Sequence, residues 1–459
     1  MHFVIILWLI LRSISRALRR AVACVRNNET SRPVKNYLTN KGKIINDPVY
    51  GFININSDLV FDLMQHPFIQ RLRRIKQLGL TYFVYPGATH TRFQHALGAY
   101  YLMDSAITSL RSKGIDITAD EEEAVLAAIL LHDIGHGPFS HALESSIIEE
   151  IDHEDLSSLL MDQLNREFGG KLDLAIRIFR NRHTKGFLHQ LVSSQLDMDR
   201  LDYLRRDSFF TGVAEGTIGS DRIIKMLHVN GDKLVVEIKG IYSLEKFLIA
   251  RRLMFWQVYL HKTVIASEQL LVKILRRAKQ LIRDGADLFA TPALRFFLRQ
   301  SLSPADLSPS TPSARRDEIL HHFNLLDDND IISAAKVWTE YPDYILSNLC
   351  TRLINRELFG VEIRNQPFSE ELLTDLIRTI TSEYRLTPGE GGFFAFTNSV
   401  SNHIYDLNDD RIQILHKNGK LSDISEVSDM INISALSKPV KKFYLCYPKE
   451  FVKLVSKYQ

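Results

Sequence analysis

The densest chemistry in this sequence lies between Ala128 and His141. There an apolar helical run, Ala128-Ile129-Leu130-Leu131, gives way to His132-Asp133-Ile134-Gly135-His136-Gly137-Pro138-Phe139-Ser140-His141, three histidines and an aspartate around a Gly-Pro break. Any one of these histidines alone reads as a hydrogen-bonded core residue, but buried polar groups at this density require partners. Imidazole nitrogen and carboxylate oxygen suit borderline and hard divalent ions, and His132 and Asp133 can both reach an ion at a helix end. Upstream, Thr89-His90-Thr91-Arg92-Phe93-Gln94-His95 opens another helix and makes Arg92 and His95 neighbours on one face, a third ligand beside a cation. Downstream, Gln195 to Asp207 spaces Asp199, Tyr203 and Asp207 four residues apart along one helical face. Seen alone, that segment also reads as a solvated, salt-bridged surface.

These groups suit phosphate chemistry. A divalent ion polarises a phosphoryl oxygen and activates water, while histidines of near-neutral pKa exchange protons at working pH. An anionic substrate needs cations, for which Arg92, Arg251 and Lys262 are candidates. The last two are eleven residues apart, three helical turns on one expected stripe, with Tyr259 close by. The alternative for Tyr203 and Tyr259 is core aromatics with satisfied hydroxyls, and for Lys262 a side chain that extends to water.

The elements that must hold these residues are mainly helical. From about Leu59 to His153 apolar residues recur at helical spacing, with turns at Pro86-Gly87 and Gly114 and a helix opening at Asp120 to Glu123. Ser157 to Phe168, Leu172 to Arg180 and Leu188 to Asp207 continue the pattern. Ile223 to Ile238 reads instead as two strand-like runs around Asn230-Gly231-Asp232, a hairpin signal. Helical spacing returns from Tyr242 to about Arg283, and Ser301 to Arg316, rich in Ser and Pro, reads as a loop. After Pro388-Gly389, short strands are expected at Phe393 to Phe396, Ile412 to His416 and Lys442 to Tyr447. The expected fold is mostly α: an extension over 1–43, a helical core with a small β-hairpin over 44–290, a loop or hinge over 291–320, and an α+β C-terminal lobe over 321–459.

Composition narrows the class. The chain has 459 residues, 45% hydrophobic and 24% charged, with a formal net charge of +3. That is an ordinary globular balance, neither disordered nor membrane-spanning, and it specifies no partner. Cys24, Cys350 and Cys446 are far apart and lack metal-ligand spacing, so neither a disulfide framework nor a zinc knuckle is implied, and a reducing cytoplasm is expected. The apolar run Phe3 to Leu11 is about half the ~20 residues a spanning helix needs, and its arginines follow it rather than precede it. A disposable extension and a basic amphipathic segment touching a membrane both fit it.

The order His95, His132-Asp133, Asp199 resembles the H…HD…D signature of the HD superfamily. Three strings bring the resemblance closer to its deoxynucleoside triphosphate triphosphohydrolases, the group of dGTPase-like bacterial enzymes and the mammalian sterile-alpha-motif and HD-domain enzyme. They are Gln70-Arg71-Leu72-Arg73-Arg74-Ile75-Lys76-Gln77-Leu78-Gly79, Phe83-Val84-Tyr85-Pro86-Gly87-Ala88-Thr89-His90, and His132 through His141. The similarity runs from about Asp47 to Ala278. It implies an HD-domain helical core in which His95, His132, Asp133 and Asp199 ligate one divalent ion, the donor set being open to Fe, Mn, Zn, Ni, Co or Mg. It also implies a catalytic cluster of His136 and His153 helped by Glu144, where family members usually carry aspartate, with His141 on the leaving-group side. Triphosphate contacts fall by the same match to Arg251 and Lys262 beside Arg92, and the deoxyribose and base pocket to Tyr203, Asp207, Tyr259, Gln77 and Leu78. The resemblance further implies a homo-oligomer, dimer or tetramer.

One departure concerns regulation. Where mammalian members carry a guanine-reading carboxylate this chain has Gln65, although Gln70 and Arg73 remain, so guanine-nucleotide activation is not expected, nor is a sterile-alpha-motif domain ahead of the core. The leading expectation is hydrolysis of a deoxynucleotide, a dNTP, to deoxynucleoside and inorganic triphosphate. The alternatives are a nucleoside monophosphate or cyclic-nucleotide phosphohydrolase and a nucleotide-binding regulator without turnover. No basic stripe with interleaved aromatics points to nucleic acid.

Overall fold

A computed structural model of the chain describes residues 42–139, 151–308, 310–402, 405–406, 411–429 and 440–458. The N-terminal apolar and arginine-bearing stretch, His141 and Glu144 lie outside the described residues. The described chain enters as an antiparallel hairpin that sequence periodicity did not reveal, β1 (Lys43–Asp47) and β2 (Gly51–Ile55). Gly51 takes a φ of +78°, a conformation glycine adopts without strain, and Asp47 Oδ1 closes the turn by accepting the N–H groups of Val49 and Tyr50. Two short helices follow, α1 (Asp58–Gln65), capped by Ser57, and α2 (Pro67–Arg71).

The helices that carry the site come next. Thr91 and Gln94 form a capping box at the start of α3 (Arg92–Ser112), and Thr118 and Glu121 another at α4 (Ala119–Leu131). Every residue of α4 from Ala124 to Leu131 is buried, so it runs through the interior, packed against α3, α1 and the helix Asp173–Phe179, and its C-terminal end delivers His132 and Asp133 inside the protein. Its large aliphatic side chains each contribute about 1.5–3 kcal/mol by burial. Beyond them lie α5 (His153–Glu167), α6 (Asp173–Phe179), α7 (Gly186–Val192) and α8 (Met198–Thr211). Asp197 caps α8, Gly212 ends it in the left-handed conformation, and it packs along α3. The expected hairpin is present as β3 (Leu227–Asn230) and β4 (Lys233–Glu237), but Ile223 belongs to a preceding helix, α9 (Ser220–Met226).

The single helix expected from Tyr242 to Arg283 is two, α10 (Ile241–Met254) and α11 (Lys262–Arg283). Between them Phe255–Tyr259 form a π-helical turn, and the chain turns extended at His261, whose ring accepts the Thr263 N–H and caps α11. Tyr85 donates its hydroxyl to the Gln257 carbonyl at 2.8 Å, satisfying a group in the distorted turn. Arg251 and Lys262 therefore do not lie on one continuous helical stripe.

Much of the stretch expected as loop is helical. Thr291 caps α12 (Pro292–Arg299), whose proline sits where a helix tolerates it, and α13 (Ser313–Leu325) begins just after Pro312. Asp327, Asp343 and Ser369 in turn cap α14 (Asp328–Trp338), α15 (Tyr344–Ile354) and α16 (Glu370–Glu383). Strand β5 (Gly360–Arg364) and β6 (Phe396–Asn402) flank β9 (Val440–Tyr447) in an antiparallel sheet. Phe393 falls in a 3-10 turn, and the strand starts only at Phe396. Strand β7 (Gln413–Leu415) pairs in parallel with β4 and antiparallel with β8 (Leu421–Asp423), so C-terminal residues complete the sheet begun by the hairpin. The fold is mostly α with small sheets, and no described helix is long and apolar enough to cross a membrane.

Candidate metal centre

Three helix ends meet at the centre. His95 lies one turn into α3, His132 and Asp133 follow the last residue of α4, and Asp199 lies in the first turn of α8. His95 Nε2 stands 3.0 Å from Asp199 Oδ1 and 3.3 Å from His132 Nε2, and His132 Nε2 stands 3.5 Å from Asp199 Oδ1. Asp133 reaches the same space, with Oδ1 3.3 Å from His132 Nε2 and Oδ2 3.7 Å from His95 Nε2. The far nitrogens are both occupied: His95 Nδ1 donates to Asp202 Oδ2 at 2.7 Å and His132 Nδ1 to the Ile129 carbonyl at 2.6 Å. Each Nε2 is thus the nitrogen that would turn its lone pair to an ion at the same point.

Lone pairs and carboxylate oxygens packed at 3.0–3.7 Å repel one another unless a positive charge sits among them. Metal–ligand bonds of about 2.0–2.2 Å place neighbouring ligand atoms roughly 3.0–3.5 Å apart, so the donors fit a divalent ion in both spacing and type. The electrostatics agree. Burial lowers the affinity of His95 for a proton, but the hydrogen-bonded carboxylates of Asp199 and Asp202 outweigh it and raise its pKa to about 10. Burial is likewise outweighed at His132, raised by Asp133 and Asp199. Asp199 and Asp133 are held well below the usual carboxylate range against their burial, Asp199 by His132 and His95, Asp133 by His132 and Arg92. The pocket is built to hold positive charge.

Beside it is a second group, Asp133, His136 and His153, whose ligand atoms also lie within 4.8 Å of one another. The His136 and His153 rings stack with centroids 3.9 Å apart, and His136 Nε2 is 3.3 Å from Asp133 Oδ1. Gly135 makes the approach of α5 feasible: a Cβ there would lie 2.1 Å from the His153 carbonyl oxygen and 2.4 Å from the Ser157 nitrogen. Ser157 Oγ ties the two segments, donating to the His132 carbonyl and accepting the Gly135 N–H. Burial, and then the neighbouring Arg92 charge, push the His136 imidazole well below its ordinary pKa, so this ring is neutral at physiological pH.

The remaining candidates fall into two groups. Tyr259 donates its hydroxyl to Asp207 Oδ2 at 2.8 Å, the rings of Tyr259 and Tyr203 meet edge to face at 6.3 Å, and the Arg251 charge acts on Tyr203. These four residues are together. Arg92 is buried with Nη1 on Asp133 Oδ2 at 2.5 Å, so its charge orients that carboxylate. Lys262 is more than half exposed, with Nζ 3.9 Å from Glu362. The Gln77 backbone N–H donates to the His90 carbonyl, and its side-chain oxygen is buried without a protein partner; Leu78 packs half-buried against the core.

Several supporting residues were not singled out from the sequence. His90 Nε2 lies 2.7 Å from Asp207 Oδ1, completing a His90–Asp207–Tyr259 series. Arg71, fully buried, donates to the Leu326, Ile134 and His136 carbonyls and so grips the turn that follows α4. Asp328 accepts the N–H groups of Lys76 and of Phe139, a residue held at a φ of +52°. An αL conformation at a non-glycine costs about 1–2 kcal/mol, and Asp328 helps to fix it next to the histidines. Only the helical spacing of Asp202 from Asp199 could have flagged any of these partners, since the others join segments remote in sequence.

Comparison with known proteins bears on this geometry. A family model described as HD domain matches residues 92–207, and one described as HD associated region matches residues 218–289. The crystal structure of a phosphohydrolase from Bacteroides thetaiotaomicron is 55% identical, with a TM-score of 0.85, covering 89% of this chain and 100% of that one. An uncharacterized protein of Bacillus subtilis is 33% identical over 426 residues, 89% of this chain and 93% of that protein. A deoxynucleoside triphosphate triphosphohydrolase of Gallus gallus is 30% identical over 280 residues, 51% of this chain and 45% of that protein, so that likeness spans about half of each.

Proposed function

This chain belongs to the HD-domain family, and from that premise we propose that it is a metal-dependent phosphohydrolase that splits deoxynucleoside triphosphates into deoxynucleoside and inorganic triphosphate. The observation that carries the reading is the convergence of His95, His132 and Asp199, with Asp133 3.3 Å from His132 Nε2, beside the stacked His136 and His153. A divalent ion held by the four would polarise a phosphoryl oxygen and supply a water acidic enough to ionise near neutral pH.

The rest is the work of the chain's own groups. Asp202 and the Ile129 carbonyl keep the protons of His95 and His132 on Nδ1, Arg92 holds Asp133 in place, and neutral His136, whose Nε2–H faces Asp133, can accept a proton at Nδ1. His141 and Glu144 lie between His136 and His153 in sequence and stay assigned to the leaving-group side and the acid of the cluster. Tyr203, Tyr259 and Asp207 form the sugar-side wall, where aromatic rings crowd a 2′-hydroxyl, with Gln77 and Leu78 towards the base. Arg251 beside Tyr203 supports a triphosphate, as does the likeness to a triphosphohydrolase, and Lys262 joins it as a more exposed cation.

The test is to strip the purified protein of metal, restore Mn²⁺ or Mg²⁺, and offer each dNTP, rNTP, deoxynucleoside monophosphate and cyclic nucleotide. Deoxynucleoside and intact triphosphate from dNTPs alone is the expected outcome. Orthophosphate from monophosphates, or opening of cyclic nucleotides, would replace it with the narrower phosphohydrolase reading. Binding without turnover under every condition would make the protein a nucleotide-responsive regulator.

A further inference from the structure

Buried charges run in an unbroken line from the N-terminal hairpin to the centre. Asp47 ends β1; its Oδ1 closes the turn, and its Oδ2 accepts from Arg206 Nη1 at 2.8 Å. Arg206 Nε donates to Asp202 Oδ2 at 2.9 Å, and the same oxygen accepts from His95 Nδ1 at 2.7 Å. The side chains of Arg206, Asp202 and His95 are wholly inaccessible, and that of Asp47 is 2% exposed. A second observation shows that the backbone makes room for the line. Gly98 lies three residues beyond His95 on α3, and a Cβ there would sit 2.0 Å from Asp202 Oδ1 and 2.2 Å from Arg206 Nη2.

We propose that Asp47, Arg206 and Asp202 are positioning residues for His95, and that the hairpin turn at Asp47–Gly51 is thereby coupled to occupancy of the metal centre. The inference rests on the reading of His95, His132, Asp133 and Asp199 as metal ligands. Asp202 fixes the tautomer and rotation of the His95 ring, so that Nε2 faces the ion. Asp202 Oδ2 serves two donors at once, and Arg206 is shared between Asp202 and Asp47, so each carboxylate sets how strongly the guanidinium draws on the other. Only a planar fork spans both carboxylates in this way; a lysine ammonium does not. Loss of charge at Asp47 pulls Arg206 onto Asp202 and weakens the hold on His95. Because coupling between two sites is reciprocal, metal at His95 must in turn steady the turn that Asp47 closes. A plain structural ion-pair network would hold the fold together without either effect.

The full chain is freed of metal and titrated with Mn²⁺ by calorimetry, and hydrogen exchange is followed at the Val49 and Tyr50 amides with and without Mn²⁺. The wild type, Asp133→Ala, Asp47→Asn and Gly98→Ala are compared. The inference expects Asp47→Asn and Gly98→Ala to weaken Mn²⁺ binding on the order of 10-fold, as loss of a ligand's supporting partner does. It also expects Mn²⁺ to slow exchange at Val49 and Tyr50 in the wild type, and to do so less in Gly98→Ala. Unchanged Mn²⁺ affinity in the folded variants, or exchange at the turn indifferent to Mn²⁺ in a wild type that binds it, would overturn the inference. If Asp47→Asn does not fold, Gly98→Ala, which removes no charge, decides, and if neither folds the wild-type exchange decides alone. A wild type that binds Mn²⁺ no better than Asp133→Ala is a different failure: the ligand reading itself falls, and this inference with it.

Discussion

Replacing Arg71 by methionine should cost both stability and turnover, although Arg71 is not among the candidate ligands. Its side chain is fully buried, its Nη1 donates to the Leu326 carbonyl at 3.0 Å, and its Nη2 donates to the Ile134 and His136 carbonyls at 2.8 and 2.9 Å. Its guanidinium also sits 4.7 Å from the centre of the Phe323 ring. Burial pulls its pKa down to about 9, so it stays cationic at neutral pH. Methionine fills much of the volume and leaves three carbonyls without their donor, at about 1–3 kcal/mol each. Relief from burying a cation, worth several kcal/mol, offsets part of this, and the net loss should be about 3 kcal/mol. Two of the three carbonyls belong to the turn that presents His136, and a displacement of about 1 Å at such a group can cost on the order of 100-fold in rate. Arg71→Met should therefore melt several degrees lower and lose kcat far more than its folded fraction falls. Arg71→Lys, with one ammonium for three acceptors, should lie nearer the methionine variant than the wild type. Thermal melting and initial rates with Mn²⁺ and a dNTP read both effects. A variant with wild-type melting and kcat within about twofold would refute the clamp and its coupling to the turn.

Asp133→Ala should abolish turnover and most bound metal in a folded protein, measured by metal analysis beside circular dichroism; full turnover would eliminate the ligand assignment. Tyr259→Phe removes the hydroxyl bonded to Asp207 at 2.8 Å and should raise KM for dNTPs with metal content unchanged, whereas equal metal loss would make Tyr259 structural. Burial raises the Asp328 carboxyl from 3.8 to about 6, against the pull of its two backbone donors, so its ionised form is the destabilised one in the folded state. Its penalty is full above pH 6 and fades as pH falls towards 4. Relative to Asp328→Asn, the wild type should therefore gain about 1 kcal/mol on going from pH 7.5 to pH 5, read as the change in the difference between their melting temperatures. A gap that stays constant would mean Asp328 does not titrate in that range.

Local signals in the sequence were sufficient for what lies within one element. Capping residues at Thr91, Thr118 and Asp197 and the apolar run before His132 define the three helices that carry the centre, because helix ends and burial are written in adjacent residues. The Asn230-Gly231-Asp232 turn likewise announces its hairpin. What joins distant segments was illegible. Strand β7 is three residues long and pairs with β4 some 180 positions earlier, a partnership no local pattern encodes. The π-turn at Phe255–Tyr259 depends on Tyr85 and on the cap at His261, so continuous apolar spacing concealed the break between Arg251 and Lys262. Arg71 and Arg206 look like ordinary charged helix residues until Leu326, Ile134 and Asp47 are placed beside them. The same reasoning explains why an isolated acidic and basic helix from Met198 to Thr211 could be read as solvated surface: its charges are balanced by α3 and the hairpin rather than by water.

The most direct test of the account is to run the reaction in oxygen-18 water with Mn²⁺ and a dNTP, and to weigh the products by mass spectrometry. Water attack on the α-phosphorus, with cleavage of its bond to the 5′-oxygen, puts one heavy oxygen into inorganic triphosphate and leaves the deoxynucleoside unlabelled. Orthophosphate or pyrophosphate as the first product, or label in the deoxynucleoside, would contradict it.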